Sequence, residues 1–295
     1  MSEAARILAN RPRREPPSWR EDHCSQAAAT SANAGLYAAY FGTFALFRDG
    51  RGLSLGRTRA VQALSRYLIA RRGQVVSREE LLELLWPNAG AERANHRLHV
   101  AVSSARRLVD MPGEGSSVIH FESDSYCVPQ DAVLTDCDVF DGHYGRARHT
   151  LSAGDAGDAA DEFRSALAVY AGEYLADMPY AEWTHVRRAH FALRRLNALT
   201  FLCDHSSLQQ DLLATMDFAL QILEVDNLRE RAHRELMRAH YLMGQRGLAI
   251  RQFEACARIL QQELGVAPSP ITRRLHQAIR DESLLPEEAR LRWNT

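Results

Sequence analysis

Residues 75–109 read VVSREELLELLWPNAGAERANHRLHVAVSSARRLV, and this stretch decides the fold. Ser77 followed three residues later by Glu80 is a capping box, in which the serine oxygen takes the Glu80 amide and the glutamate reaches back to the Ser77 amide. A short helix is therefore expected from Arg78, burying Leu81, Leu82 and Leu85 and stopping at Trp86, because Pro87 has no amide proton and its ring clashes with the preceding turn. Asn88-Ala89-Gly90 supplies a turn, and a longer helix follows from about Ala91 to Val109. Two helices joined by a tight glycine-containing turn, the second rich in Arg and His, form the arrangement that sets a helix into a DNA groove.

At about 100° per residue, Leu98, Val102, Ala105 and Val109 share one face of the second helix, which packs inward. Roughly opposite lie Arg93, His96, Val100, Ser103 and Arg107, with Arg97 and Ser104 on the flank. Arginine can fork onto the O6 and N7 of guanine, serine can bond base or phosphate, and Val100 can touch a thymine methyl. His96 and His99 can donate to phosphate or base. For an isolated amphipathic helix, the alternative is a solvated face with no partner.

Working outward, Tyr40 to Leu55 is expected to form a hairpin turning at Asp49-Gly50, and Thr58 to Arg72 a helix with Val61, Leu64 and Leu68 on its inner face. Gln74-Val75-Val76 is a short extended piece. Val118 to Phe121 and Tyr126 to Val128 bracket the tip Glu122-Ser123-Asp124-Ser125, a second hairpin or wing. Hairpin, helix, strand, two helices, hairpin is the order of a winged helix-turn-helix with an N-terminal sheet. Arg57, Arg59 and Arg78 sit at helix starts, where arginine and free amides grip phosphate or simply face water. Tyr126 is expected to pack the wing against the third helix.

From about Asp136 the pattern is helical. Ala159 with Phe163, Ala214 with Phe218 and Ala249 with Phe253 each set a small residue one turn before an aromatic, so that helices can approach and lock. This reads as helix hairpins stacked in a short, irregular solenoid, with one last helix from Ile271 to Arg280. Trp183 is expected in its core, and Asp136, Asp138 and Asp141 at a helix start. Such a solenoid offers a concave surface to a partner. The fold class is mainly α: a winged helix-turn-helix over 38–130, then an all-α tetratricopeptide-like domain over 135–284. Residues 1–37, rich in Arg, Pro, Ser and Ala, read as a disordered leader.

The chain has 295 residues and a formal charge of −1, which alone argues against nucleic acid. The charge is uneven: residues 38–128 carry twelve Arg against nine acids, and residues 129–295 nineteen Arg against twenty-four. All 36 basic side chains are Arg, a mark of GC-rich coding rather than of phosphate recognition. Cys24, Cys127, Cys137, Cys203 and Cys256 are scattered and never spaced as CxxC, as in a reduced cytoplasmic protein. No apolar run approaches a membrane span, and the N-terminus lacks an export signal. His96 with His99 has no Cys or acid to complete a metal site, and His185 with His190 is weaker still. No GxSxG, HExxH or phosphate-cradling glycine loop is present, so neither an enzyme nor a cofactor is expected.

With these residues in place the chain resembles the antibiotic-regulatory-protein (SARP) type of bacterial transcriptional activator. The strings VVSREELLELLWP, RLHVAVSSARRLV, DCDVFD, GEYLADMPYAEW, NLRERAHRELMRAHYLMGQRGLAIRQFE and LQQELGVAPSP carry the likeness over roughly residues 41–280. The resemblance implies a response-regulator-type winged helix joined to a tetratricopeptide-like bacterial transcriptional activator domain. It also implies double-stranded DNA as partner, read at promoter direct repeats, with RNA polymerase and a second protomer met through the helical domain. The implied location is cytoplasmic, on the nucleoid. Many relatives of this type carry Leu where this chain has Ala105 and Asn or Arg near His96, and their wing tip usually contains Gly, often with a basic residue nearby. Here the tip carries two acids, which repel phosphate. Larger relatives add a nucleotide-binding domain; with no GxxxxGK[ST] the chain resembles the small form, and the span before residue 40 is too short for a phospho-receiver domain. The competing reading is a protein-interaction adaptor whose winged helix no longer binds DNA.

Overall fold

The computed structural model describes residues 35–56, 58–110 and 117–283. Arg57 and nearly all of the expected leader lie outside them. The chain divides into two compact units, one running to Val139 and including Leu175–Asp177, the other comprising Phe140–Tyr174 and the chain from Met178 onward.

The first unit opens with β1 (Leu36–Ala39), β2 (Ala45–Arg48) and β3 (Arg51–Leu53). The β2–β3 hairpin turns at Asp49-Gly50, with φ of 47° and 76°, the left-handed pair of a type I′ turn. Two expectations shift here. The first strand begins at Leu36, inside the stretch read as leader, and the span from Tyr40 to Phe47 is broken at Gly42 (φ 87°) rather than continuous. All four residues of β1 are buried. They pair antiparallel with β2 (Leu36↔Arg48) and parallel with β7 (Leu134–Thr135; Tyr37↔Leu134), giving the order β3-β2-β1-β7. Leu175 and Ala176 donate to the carbonyls of Tyr40 (2.8 Å) and Gly42 (2.9 Å).

Helix α1 (Arg59–Ala70) buries Val61, Leu64 and Leu68, as its periodicity requires. Gly73, at φ 74°, ends the turn that follows it. The strand β4 (Val75–Ser77) leads into α2 (Arg78–Leu85), and α3 (Ala91–Val109) follows. The hairpin β5 (His120–Glu122) and β6 (Ser125–Cys127) completes a second sheet, ordered β4-β6-β5.

Helix α4 (Asp136–Ser152) starts with a reciprocal capping box that the reading along the chain missed. The Asp138 amide donates to Thr135 Oγ1 (3.2 Å), and the Thr135 amide donates to the Asp138 carboxylate (2.9 Å). The same carboxylate pairs with Arg72, and Asp141 pairs with Arg194. Asp136 is buried and accepts from the amides of Tyr40 and Phe41, each at 2.8 Å.

The second unit is helical. After α4 come α5 (Ala156–Val169), a 3-10 turn (Glu182–Thr184), α6 (His185–Leu208), α7 (Leu212–Val225), α8 (Glu230–Leu242), α9 (Arg246–Leu264) and α10 (Pro270–Arg280). Successive helices turn back on each other, through Gln210 (φ 60°) between α6 and α7 and Gly244 (φ 75°) between α8 and α9. Leu196, Leu199, Cys203, Ala219, Ile222, Ala232 and Leu236 form one core, and Met237, Ala249, Leu275 and Ile279 the next. Ala159 and Ala249 are fully buried as the small-residue pattern demands. On α7, however, the tight contact falls to Ala219, and Ala214 is only half-buried. Trp183 is half-buried in the 3-10 turn instead of lying in the core. The repeat is irregular because α6 has 24 residues against 13 in α8.

Candidate nucleic-acid interface

Helix α3 is built to show one face. Ala94, Leu98, Ala101, Val102, Ala105 and Val109 are buried. Alanine at 94, 101 and 105 lets the helix sit close to its neighbours, and α1 and α2 both pack against it. Of the residues expected on the far side, Arg93, His96, Arg97, Val100, Ser103 and Arg107 are exposed, and Ser104 is half-buried on the flank. Val100 is 54% exposed, so this branched apolar side chain is not committed to the core.

Charge follows the same division. Arg66, Arg71, Arg72 and Arg78 all pair with carboxylates. Among the described residues, Arg93, Arg97 and Arg107 enter no ion pair; Arg107 donates only to Ser104 Oγ, at 3.2 Å. Three uncompensated guanidinium groups thus lie along one solvent-facing stripe. Arg59 is also exposed, at the start of α1.

Several residues that the pattern did not single out fix the frame of that stripe. Arg48, on β2, donates to the carbonyls of Asp110 (3.0 Å) and Val109, closing the C-terminus of α3 with a cation where the helix dipole favours one. Arg106 donates through Nε (3.0 Å) and Nη2 (2.8 Å) to the Ile119 carbonyl, and the Asp110 carboxylate accepts from the Val118 amide (2.8 Å). The strand entering the wing is therefore hung from α3 itself. The Arg48 and Arg106 contacts join residues 61 and 13 positions apart, which no local motif encodes.

The Ser77 cap is present, with its oxygen accepting the Glu80 amide at 3.1 Å. The return arm of the box is replaced: Glu80 accepts from the Tyr67 hydroxyl, and burial together with that bond pushes the Tyr67 phenol up to about 12. Leu81 is fully buried, while Leu82 and Leu85 are half-buried.

The tip of the wing is tighter than expected. Glu122 and Ser125 pair within the ladder, so the turn is Ser123-Asp124 alone, with φ of 48° and 62°. Asp124 pairs with Arg78, whose own amide donates to the Asp124 carbonyl at 3.0 Å. Tyr126 is buried against Phe121, ring centroids 4.7 Å apart, and burial raises its phenol above the usual range. Between α3 and the wing lies a cavity of about 560 Å³, lined by His99, Ser103, Arg106, Arg107, Phe121 and Tyr126 among others. Among the described residues no cluster of three metal-ligating side chains occurs, and no helix is long and apolar enough to cross a membrane.

Comparison with known proteins agrees with this architecture. Residues 52–127 match the family model "Transcriptional regulatory protein, C terminal", and residues 135–280 match "Bacterial transcriptional activator domain". The chain is 31% identical to the regulatory protein AfsR of Streptomyces coelicolor over 237 residues, covering 79% of this chain and 23% of that protein. It is 25% identical to the transcriptional regulator RedD of the same organism (78% of this chain, 66% of that protein). It is 27% identical to the transcriptional regulatory protein MoaR1 of Mycobacterium tuberculosis (85% and 81%). The chain thus spans under a quarter of the AfsR relatives it matches. A solved structure of Mycobacterium tuberculosis EmbR, in complex with a low-affinity phosphopeptide, superposes with a TM-score of 0.68 at 20% identity, over 86% of this chain and 68% of that one, a likeness of fold. With a winged helix-turn-helix followed by a tetratricopeptide-like activator domain, the chain belongs to the SARP-type family of bacterial transcriptional regulators.

Proposed function

We propose that this protein is a sequence-specific DNA-binding activator that reads the major groove with α3. The observation that carries this reading is the stripe of exposed Arg93, Arg97 and Arg107, without ion pairs among the described residues, on a helix whose other face is buried. His96, Val100, Ser103 and Ser104 supply the remaining donors and the apolar contact, so the face offers both phosphate neutralisation and base readout. The cavity between α3 and the wing, with Arg106 and Arg107 at its wall, suits the backbone of one strand. The wing itself is too short and too firmly held to be the principal reader.

The helical unit is assigned the recruitment of RNA polymerase. Two protomers on direct repeats would bind more tightly by effective concentration, without any new DNA contact. The protein acts in the cytoplasm on the nucleoid and catalyses no reaction.

The test is a mobility-shift screen of DNA upstream of the protein's own and neighbouring genes, run with excess mixed-sequence competitor. The proposal expects one fragment to be retained selectively, and footprinting of that fragment to give two direct repeats. A folded protein that retains no fragment even at low salt would instead support the adaptor reading, which the acidic residues of the wing favour.

A further inference from the structure

The contact between the wing tip and α2 has a consequence for DNA affinity. Arg78 is the first residue of α2, one position after the Ser77 cap, where a guanidinium and the free amides of a helix start together suit a phosphate. That guanidinium is engaged from within the chain. The Asp124 carboxylate pairs with it, the Arg78 amide bonds the Asp124 carbonyl at 3.0 Å, and the Arg78 guanidinium carbon lies 5.7 Å from the centre of the Phe121 ring. The fit is incomplete: among the described residues, the buried Arg78 Nε has no hydrogen-bond partner. Asp124 also sits at φ 62°, a left-handed conformation that suits Gly and Asn better than most residues. Its side chain is 59% exposed, so the pair lies at the surface and not in the core. An exposed ion pair contributes little to stability, so fold maintenance alone does not account for an acid at this position.

We infer that Asp124 is an internal competitor for DNA phosphate: it occupies Arg78 in the free protein and so sets how tightly the winged helix grips the backbone. The wild type then binds DNA with Arg78 withheld by the Asp124 carboxylate, one phosphate contact short of what the winged helix can make. The acid thereby lowers sequence-independent affinity and leaves base readout by α3 to carry a larger share of the total. This inference rests on the DNA-binding reading above and adds to it a residue that tunes the balance between affinity and specificity.

The experiment uses the full chain and a fluorescent mixed-sequence duplex, on which phosphate contacts alone supply the affinity. Asp124→Asn keeps the shape, removes the charge and suits the left-handed turn; Asp124→Gly removes the side chain and suits it equally. Both variants are expected to bind about eightfold tighter near 0.1 M salt, with a log–log salt slope steeper by about 0.9, the value of one added phosphate contact. In an Arg78→Ala background the Asp124→Asn gain should largely vanish, which separates release of Arg78 from a general change in net charge. If the wild type binds the duplex and both folded variants retain its affinity and slope, the inference is overturned while the DNA-binding reading stands. If neither wild type nor variants bind any duplex in a salt-dependent way, the DNA-binding reading itself fails and takes this inference with it.

Discussion

Asp136 is a buried carboxyl group, and burial pushes it up to about 6 against the opposing pull of the Phe41, Tyr40 and Cys137 amides. A raised carboxyl binds its proton more tightly in the folded state than in the unfolded one. The stability it contributes is therefore fully present below about pH 4 and is lost as pH rises towards 6. We expect the destabilisation caused by Asp136→Asn to shrink by up to about 3 kcal/mol between pH 4 and pH 7, read from urea unfolding of both proteins. A deficit that grows with pH would mean that the three amides outweigh burial. The thiols make a second test at this scale. Burial pushes Cys203 and Cys256 up to about 12, and Cys137 is also buried, whereas Cys127 is only partly covered. At pH 8 a thiol reagent should modify Cys127 in the folded protein, and reach Cys137, Cys203 and Cys256 only on unfolding; peptide mapping of the labelled sites checks this.

The elements differ in how much of them the chain displays locally. Helices α2 and α3 are legible because cap, period and stop all lie within a few residues: Ser77 opens α2, Pro87 ends it, and Ala94 to Val109 repeat at helical spacing. Six of the seven nominated residues on α3 are exposed for the same reason, since a helix with one apolar face leaves the other to solvent. Strands β1 and β7 are not legible. Leu36–Ala39 is four residues of ordinary apolar sequence, and its parallel partner is nearly a hundred positions away at Leu134. The clamp of Arg106 on Ile119 is hidden too, because an arginine on a basic helix reads as one more exposed charge. Two element-scale outcomes follow. Ser77→Ala should cost about 1 kcal/mol through the lost cap on α2, measured by chemical denaturation. Arg106→Ala should leave the Ile119 carbonyl without its side-chain donors, and amide exchange of His120–Cys127 should quicken well before global unfolding. Unchanged protection there would show that pairing with β4 and the Asp110 and Asp124 contacts hold the wing without Arg106.

For the whole molecule, a formal charge of −1 conceals the feature that matters. Net charge describes solubility, whereas affinity for DNA depends on which cations are free, and on this chain many arginines of both units are engaged by carboxylates or backbone carbonyls. Three without an ion pair among the described residues share the outer side of α3. That distribution is invisible to composition and only partly visible to a helical wheel, because pairing such as Arg72 with Asp138 or Arg78 with Asp124 crosses 66 and 46 positions of sequence. The measurement that bears most directly on the central claim is the binding of the selected fragment across a salt series by wild type and by the double variant Arg93→Ala, Arg107→Ala. Both side chains are exposed and make no ion pair among the described residues, so the variant should unfold at the wild-type temperature. The account predicts a loss of at least about tenfold in affinity, with the salt slope shallower by about 0.9 for each arginine that had met a phosphate and discrimination weakened by about 1–3 kcal/mol for each that had met a base. A folded double variant that kept the affinity, slope and selectivity of the wild type would contradict it.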